Sequence, residues 1–352
     1  MLFGKKDHLI GLDIGSRTIK LGEVHEKKDQ RVLKKFGMAN LPETAIVEGR
    51  IKEPDVVADT IKKLAADLKI KEPNVATSIS GYSVIIKKIV VGKMTDEELH
   101  ENIQFEAEQY IPYDIDDMNI DFQIIGDSNV SSDQMNVLLV AVKKDLVAEY
   151  IDLIDLAGLN PSIIDVDSFA FQNIYEAVIM GNNDDVNMLI DVGVHKTSLN
   201  IIQGVDSLMM RDSSSGTNQI REEISSELNC SLEDAEKIIS GVDTTSMSHE
   251  NFKEISDGFS KMWVVEIKNI LKTFHAKSAH GNVQNVYLCG GGAFVDGFIE
   301  HLSSELAIPV SVLNPFDAFK VNPKIFSKAF IQRAIPFASI ALGLALRKMD
   351  DK

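Results

Sequence analysis

Apolar residues divide the chain into a strand-rich beginning, an inserted unit and a helix-rich later part. Apolar and polar positions alternate over 8–15 and 18–26, and a third strand is indicated over 30–41, which predicts a β-meander. Apolar residues at three- and four-residue spacing then predict a helix over 54–68, and a short apolar run predicts a strand over 75–80. The chain therefore opens as an α/β unit.

Residues 83–166 have a pattern of their own. A strand leads to a helix that begins with the capping box Thr95-x-x-Glu98, and two strands flank a polar turn at 127–133 before a second helix and a last strand. The order β-α-β-β-α-β is that of a ferredoxin-like unit, here inserted into the first domain. RNA-binding domains share this order, but these strands lack paired aromatic residues on a basic face, which disfavours that function.

The later half contains more helix. Residues 219–280 are almost entirely helical in pattern, and a strand, a helix over 294–306 and another strand follow. The uncharged run over 334–346 is shorter than the ~20 residues that a membrane-spanning helix needs, so we expect a buried helix. The N-terminal residues lack the apolar segment of a secretory signal. We therefore expect no segment that crosses a membrane.

Composition narrows the possible ligands. With 36 basic and 53 acidic residues the net charge is -17, which disfavours a protein that binds nucleic acid by neutralising phosphates. A single nucleotide can still bind through local backbone N–H groups, one or two lysines and a divalent metal. The two cysteines, Cys230 and Cys289, provide neither a disulfide framework nor a CxxC motif, as is usual in a reduced cytoplasmic setting.

Two short segments half a chain apart share one pattern. In 11–20 and again in 189–199 a strand ends in Asp and a Gly follows two positions later, and the copies align at a constant shift of 178 residues. A tight hairpin turn of this kind can direct successive backbone N–H groups at phosphate oxygens. The alternative is that each Asp only caps a turn and each Gly only permits it. The side chains concerned are Asp13 and Asp191, placed to position a hydrated Mg²⁺, and Lys20 and Lys196, which supply charge to the phosphates.

A third glycine-rich site lies at 290–292, between a strand and a helix. A dinucleotide-binding fingerprint needs a further Gly where Val295 stands, and the sequence contains no G-x-x-x-x-G-K-[ST] motif, so neither kind of site is indicated. Three consecutive glycines make a flat backbone floor suited to an adenine ring or a ribose. The alternative is a plain tight turn between strand and helix.

Seven segments spread over nearly the whole chain carry a resemblance to a known family: GLDIGSRTIKLGEV, ISGYSVIIKKIVVGKM, FEAEQYIPYD, VLLVAVKKDLVAEYIDLIDLAGL, IDVGVHKTSLNII, CGGGAFVDGF and ALGLALR. The duplicated hairpin with a late glycine-rich loop resembles the superfamily of actin, sugar kinases and heat-shock chaperone ATPases. In detail, the set is similar to the PilM family, actin-like proteins of type IV pilus assembly that are related to FtsA.

The resemblance implies an α/β fold of the actin-like type, a ribonuclease-H-like duplicated ATPase fold, with the insertion as a ferredoxin-like 1C subdomain. The subdomains that it implies are 1A over 1–82 and 163–186, 1C over 83–162, 2A over 187–218 and 283–330, a helical 2B over 219–282, and a C-terminal helix over 331–352 that returns to 1A.

The resemblance also implies ATP and Mg²⁺ as cofactors. The family usually has two glycines where the helical subdomain begins, whereas here Thr217 follows Gly216, which weakens the expectation that this loop contacts the nucleotide. The group that orients the attacking water is expected at Asp165 and Asp167, although an Asp before a helix is also an ordinary cap. We therefore expect an ATP-binding switch that is at most a slow ATPase. The candidate nucleotide-binding residues are Asp13, Gly15, Ser16, Arg17, Thr18, Lys20, Gly193, His195, Lys196, Thr197, Gly216, Gly290, Gly291, Gly292 and Ala293.

The helix predicted near 96–110 carries one large apolar residue on its polar side. Phe105 projects nearly opposite the face that must cover the inserted sheet, which is formed by Leu99, Ile103, Ala107, Tyr110 and Ile111. One interpretation is that Phe105 packs between the insertion and the first domain. The family resemblance implies instead that an N-terminal cytoplasmic peptide of the inner-membrane protein PilN docks there, on Phe105, Gln109, Tyr110, Ile111 and Pro112.

The same resemblance implies a cytoplasmic location, peripheral to the inner membrane through PilN, with pilus motor ATPases and the platform protein as further partners. Two alternatives stay open: a nucleotide-free actin-like scaffold of a secretion platform, and a small-molecule (sugar) kinase of the same superfamily. No sugar-binding constellation stands beside either hairpin. An FtsA role is disfavoured because the amphipathic membrane helix of FtsA has no counterpart after residue 346.

Overall fold

The structure is a computed structural model, and it describes residues 8–27, 30–47, 49–81, 84–128, 131–179, 185–239, 245–277, 280–295 and 297–349. Residues 1–7, on which the expectation of no secretory signal rests, and residues 350–352 lie outside the described residues. The strands are β1 (Ile10–Ile14), β2 (Thr18–Lys27), β3 (Gln30–Asn40), β4 (Ile46–Val47), β5 (Arg50–Ile51), β6 (Asn74–Ile79), β7 (Val84–Gly92), β8 (Met118–Asp127), β9 (Gln134–Lys143), β10 (Asn160–Val166), β11 (Val186–Val192), β12 (Thr197–Gln203), β13 (Asp206–Ser213), β14 (Asn285–Cys289) and β15 (Val310–Val312). The helices are α1 (Pro54–Asp67), α2 (Asp96–Glu108), α3 (Lys144–Leu156), α4 (Asp167–Val178), α5 (Asn218–Leu228), α6 (Leu232–Ile239), α7 (His249–Lys277), α8 (Phe298–Leu306) and α9 (Lys328–Leu344).

Two five-stranded sheets with the same strand order form the two halves of the molecule. The first has the order β3-β2-β1-β6-β10 and the second the order β13-β12-β11-β14-β15. In the first sheet β1, β2 and β3 form an antiparallel meander, and β6 and β10 run parallel to β1. In the second sheet β11, β12 and β13 form the same meander, and β14 and β15 run parallel to β11. The identical topology confirms the internal duplication that the two hairpin segments predicted.

The first helices form where the sequence predicts them. Helix α1 begins with Pro54 at its first position, where a missing N–H costs no hydrogen bond, and it buries Val57, Ile61 and Leu64 against the first sheet. Helix α2 begins with the predicted capping box, in which Glu98 N donates to Thr95 Oγ1 over 3.2 Å and Thr95 N donates to Glu98 Oε2 over 2.8 Å.

The insertion follows the predicted order of elements but differs from a ferredoxin-like unit in its sheet. Its strands pair in the order β7-β9-β8, and α2 covers them with Leu99, Ile103 and Ala107. The strand expected to be the fourth, β10, pairs instead with β6 of the first sheet. The reason is α3, whose Leu153 and Ile154 pack into the core beneath α1 and so return the chain to the first sheet.

Helix α9 occupies the core, as predicted for residues 334–346. It packs against β1 and α4 so closely that two glycines are required at the contacts. A Cβ on Gly343 would lie 1.8 Å from Ala170 O of α4, and a Cβ on Gly11 of β1 would lie 1.9 Å from Ala341 O. The helix therefore holds the strand that carries the first hairpin turn.

Helices α5, α6 and α7 lie between β13 and β14, as predicted over 219–280. Residues 240–244 and 278–279 of this range lie outside the described residues. Trp263 and Phe274 of α7 and Phe298 of α8 pack on the second sheet. The helix expected over 294–306 begins only at Phe298, because a short 3₁₀ turn precedes it and Gly297 adopts a left-handed φ of +75°. Among the helices of the described residues, none is long and apolar enough to span a membrane.

Candidate functional site

The two predicted hairpin turns have the same backbone geometry. Gly15 N donates to Thr18 O over 3.1 Å in the first, and Gly193 N donates to Lys196 O over 2.9 Å in the second. Each turn follows the strand at the centre of its sheet, β1 or β11, next to the carboxyl end of a parallel neighbour. Ligand sites in α/β proteins form at such strand ends. The structure therefore places the two segments at equivalent positions, one in each half.

The first turn holds a buried ion pair. Asp13 and Lys20 are directly opposite in the β1–β2 hairpin, and Lys20 Nζ lies 3.1 Å from Asp13 Oδ2. Burial raises the pKa of Asp13, and Lys20 opposes that shift. Gly15 leaves room for the ammonium group, since a Cβ there would lie 2.8 Å from Lys20 Nζ. A cation is thus fixed beside the backbone N–H groups of the turn.

The second turn contributes its lysine differently. By the repeat, Lys196 corresponds to Thr18 and not to Lys20, and its Nζ lies 3.4 Å from Asp167 Oδ2 at the start of α4. Burial alone would raise the pKa of Asp167, but Lys196 and a 2.6 Å hydrogen bond from Ser78 Oγ lower it below its usual value. Lys20 therefore reaches the site from β2, and Lys196 reaches it from the turn before β12.

Asp191 ends β11 and lies against the glycine-rich segment. The Cys289 thiol donates a hydrogen bond to its carboxylate, and a Cβ on Gly290 would lie 2.4 Å from Asp191 Oδ1. Burial raises the pKa of Asp191 to about 6; Lys196 opposes the shift, and Asp167 and Asp13 add to it. Gly290 also has a φ of +84°, which favours glycine.

Three carboxylates and two ammonium groups thus converge between the halves, leaving an excess of negative charge. Asp167 raises the pKa of both Asp13 and Asp191, so the three carboxylates repel one another. Their oxygens do not form a group within 4.8 Å of one another in the described residues. A divalent cation would relieve this repulsion while keeping water in its shell, as Mg²⁺ does when one or two carboxylates bind it.

Asp165, predicted beside Asp167 as a catalytic candidate, is bound by the chain that follows α9. Its Oδ2 accepts a 2.6 Å hydrogen bond from Arg347 Nη1, and its Oδ1 accepts one from Val166 N. Neither Asp is a helix cap, because the N-cap of α4 is Val166 and its side chain makes no capping bond. Asp165 therefore anchors the chain after α9, whereas Asp167 pairs with Lys196 of the second turn, and a catalytic role for either stays a prediction.

The glycines of 290–292 permit close packing of the loop on the second turn. A Cβ on Gly292 would lie 2.1 Å from Val192 Cγ1, and Gly290 N donates to Pro336 O of α9 over 2.8 Å. Gly291 lies near the Phe337 ring, and Ala293 is buried in the core, so only the backbone of this segment is presented to the site. The glycines are explained by packing, and a floor for adenine or ribose stays a prediction.

The start of α5 is tied to the second turn through backbone groups. Thr217 N donates to Gly193 O over 3.0 Å, and Thr197 Oγ1 donates to Ser215 O over 2.8 Å. Gly216 is required here, because a Cβ would lie 2.3 Å from Val194 O. The loop at Gly216 and Thr217, which lacks the second glycine of the family pattern, therefore still lies against the second turn. The remaining candidates, Ser16, Arg17, Thr18 and His195, lie in the turns and are half-buried.

Four residues at the site were missed by sequence reasoning. Ser78 is the next-to-last residue of β6 and Cys289 is the last of β14. The rule that parallel strands end at a common site is the signal that points to them. Glu43 and Arg221 bridge the two halves: Arg17 Nη2 lies 2.9 Å from Glu43 Oε1, which also pairs with the buried Arg221 of α5. No local pattern connects Glu43 with a partner so far along the chain.

The candidate partner-binding residues divide into two groups. Phe105 is 68% exposed, which contradicts the interpretation that it packs between the insertion and the first domain, and Gln109 and Pro112 are also exposed. Ile111 belongs to the core of the insertion, and Tyr110 is half-buried, with its carbonyl oxygen accepting a hydrogen bond from Lys87 Nζ. Of these five residues, Ile111 alone is buried, and the side chains of the other four are at least partly exposed.

Comparison with known proteins gives matches over nearly the whole chain. A family model described as Type IV pilus assembly protein PilM matches residues 11–349. The solved structure of a PilM–PilN type IV pilus biogenesis complex is similar, with 28% identity, 98% of this chain and 100% of that chain covered, and a TM-score of 0.88. The ethanolamine utilization protein EutJ from Carboxydothermus hydrogenoformans is similar in fold, with 15% identity, 96% and 89% covered, and a TM-score of 0.57. The predicted actin-like α/β fold is confirmed.

Proposed function

The chain belongs to the PilM family of type IV pilus assembly proteins, and on that premise we propose that it is an ATP-binding component of the inner-membrane assembly platform of the pilus. In this proposal Mg-ATP binds between the two halves, and its state is relayed to the pilus machinery. The observation that carries it is the convergence of three aspartates and two lysines on two equivalent hairpin turns.

The side chains present fit a triphosphate with its metal. Asp13 and Asp191 would hold Mg²⁺, and Lys20 and Lys196 would face the phosphates beside the backbone N–H groups of the two turns. When bound, Mg²⁺ supplies positive charge to both the phosphates and the carboxylates. The adenosine would lie against the half-buried backbone of Gly290 and Gly291, close to the start of α5.

Hydrolysis in this site would be slow. Asp167 is the better candidate to orient a water, because it lies beside Lys196 of the second turn, whereas Asp165 pairs with Arg347 after α9. Lys196 and Ser78 lower the pKa of Asp167, so it stays ionised but is a weak base. The site is thus better suited to holding a nucleotide than to turning it over, which supports a switch with at most slow ATPase activity.

The partner in this proposal is the N-terminal cytoplasmic peptide of a PilN-like inner-membrane protein. The similar solved structure is a PilM–PilN complex. On this chain, Phe105 offers an aromatic ring that is 68% exposed beside a loop with further exposed residues, and an aromatic anchor of this kind suits an extended peptide. Such a contact would hold a cytoplasmic protein at the inner membrane, next to motor ATPases and the platform protein.

Titration of the purified chain with ATP, with and without Mg²⁺, tests the nucleotide assignment. We expect one equivalent of ATP to bind in a Mg²⁺-dependent manner, and Asp191→Asn to weaken binding by several kcal/mol, more than about 100-fold. The matched control is Asp59→Asn, on the exposed side of α1, which should bind like the unmodified chain. Equal affinity for the two variants, or no binding by the unmodified chain, would show that the site is wrongly assigned.

A further inference from the structure

At the opposite end of β1 from the hairpin turn, three potential metal ligands lie together. His25 Nε2 is 2.8 Å from Glu23 Oε1, and His8 Nε2 is 3.7 Å from the same oxygen. One ligand atom from each of the three residues lies within 4.8 Å of the other two, and no other group of this kind occurs among the residues that the structure describes. This cluster is separate from the proposed nucleotide site.

The strand register brings these residues together. Ile10 of β1 is opposite Glu23 of β2, which places His8 opposite His25 one step further along the same face, and the two imidazole rings are 4.2 Å apart. Ile19 and Leu21 precede Glu23 and His25 on this face by the two-residue alternation of a strand and are buried beneath α1. Three polar ligands thus continue a face that is otherwise apolar.

Glu23 is nearly buried, and its two oxygens have different neighbours. Oε2 lies 2.9 Å from Lys35 Nζ, while Oε1 faces the two histidines. Lys35 is the residue opposite Glu23 in β3. A fixed outer partner of this kind orients a ligating carboxylate, as is usual around protein metal sites. The cluster therefore has an oriented inner oxygen and two imidazoles around one small volume.

Two imidazoles and one carboxylate are a common ligand set for Zn²⁺, with water in the fourth position. With metal–ligand bonds of ~2.0–2.2 Å, tetrahedral ligands lie ~3.3–3.6 Å apart. The observed 2.8 and 3.7 Å are close to this spacing, so small side-chain rotations suffice. We propose that His8, Glu23 and His25 form a binding site for Zn²⁺ that fastens His8, two residues before β1, to β2. Because His8 also pairs with Lys348, the ion would lie beside the chain that follows α9.

The test is a Zn²⁺ titration of the full chain, prepared without a histidine tag and freed of metal with a chelator. Excess Mg²⁺ is kept present so that the aspartate cluster does not take up the probe. The unmodified chain should bind one equivalent, and Co²⁺ in its place should give the intense visible absorption of a tetrahedral site. His25→Ala and Glu23→Gln should each weaken Zn²⁺ binding at least ~100-fold, since loss of a ligand costs more than loss of its outer partner.

The matched control is His275→Ala, which removes an exposed histidine of α7 and should leave Zn²⁺ affinity unchanged. Circular dichroism of the metal-free variants verifies that they fold. If His25→Ala does not fold, the Zn²⁺ affinity of Glu23→Gln decides the question. A hydrogen-bonded cluster without metal predicts no Zn²⁺ binding by the unmodified chain. The proposal would be overturned by any of three results: no Zn²⁺ binding by the unmodified chain, equal Zn²⁺ affinity in all variants, or the weak absorption spectrum of octahedral Co²⁺.

Discussion

Replacing Asp191 by Asn should stabilise the metal-free protein while it destroys Mg-ATP binding. Burial is the main cause of the raised pKa of Asp191, about 6; Lys196 opposes the shift, and Asp167 and Asp13 add to it. A carboxyl group with a raised pKa is less easily ionised in the folded chain than in the unfolded one. At neutral pH its charge therefore lowers the free energy of unfolding.

The shift from 3.8 to about 6 sets the magnitude. At 1.36 kcal/mol per pKa unit, ionised Asp191 costs about 3 kcal/mol of stability. This loss of stability is fully present above pH ~6, declines as the pH falls from ~6 towards 3.8, and is absent at lower pH. At pH 5.0 the loss is about half of its value at neutral pH. Asn does not ionise in this range and still offers an oxygen to the Cys289 thiol, so the variant escapes the cost.

Urea unfolding in the presence of a chelator measures this difference. We expect Asp191→Asn to be more stable than the unmodified chain by up to about 3 kcal/mol at pH 7.5 and by about half as much at pH 5.0. Asp59→Asn, an exposed substitution, should change neither value by more than about 0.5 kcal/mol. A less stable Asp191→Asn at pH 7.5, or a gain that is equal at both pH values, would refute the electrostatic reasoning.

Three further substitutions follow from contacts in the structure. Phe105→Ala should leave thermal unfolding unchanged, because the ring is 68% exposed. Calorimetry should show that the variant binds a PilN-like N-terminal peptide ~30-fold more weakly, a loss of about 2 kcal/mol, and unchanged affinity would remove Phe105 from the site. Gly343→Ala should lower the free energy of unfolding by ~1–3 kcal/mol or more, since its Cβ would meet a carbonyl oxygen of α4 at 1.8 Å. Its control, Gly258→Ala in open space on α7, should raise the free energy of unfolding by up to ~1 kcal/mol, and the reverse order would contradict the packing of α9. Gly290→Ala should weaken Mg-ATP binding at least ~10-fold in titrations, because its Cβ would lie 2.4 Å from Asp191 Oδ1, and full affinity would show that this loop is not held as described.

Local patterns were sufficient to predict most elements but not the sheet to which each belongs. The pattern over 160–166 indicated a strand, and β10 is that strand. Its partner is decided by α3, which buries Leu153 and Ile154 under α1 and brings β10 to β6. The hydrophobic pattern of a strand specifies which face is buried and says nothing about its neighbour, so the pattern alone could not give this pairing. The family resemblance came nearer, since it placed residues from 163 onward in subdomain 1A.

The site shows the same division between local and distant information. The hairpin turns were predictable because Gly15 and Gly193 each bond to the backbone of their own turn, so the signal is local in sequence. Asp165 and Asp167 stand two residues apart in sequence, and only the position of Arg347, 182 residues from Asp165, separates their roles. Both lysines were predicted to supply charge to the phosphates, and only the structure shows that Lys20 lies beside Asp13 and Lys196 beside Asp167.

A crystal structure of the chain with Mn²⁺ and a non-hydrolysable ATP analogue tests the central claim most directly, because the anomalous scattering of Mn²⁺ locates the metal independently of the nucleotide. We predict one Mn²⁺ peak between Asp13 and Asp191, bound directly or through water, with phosphates against the backbone N–H groups of the two hairpin turns and adenosine over residues 290–292. A metal and nucleotide bound elsewhere, or an empty cleft at saturating concentrations of both, would contradict the account.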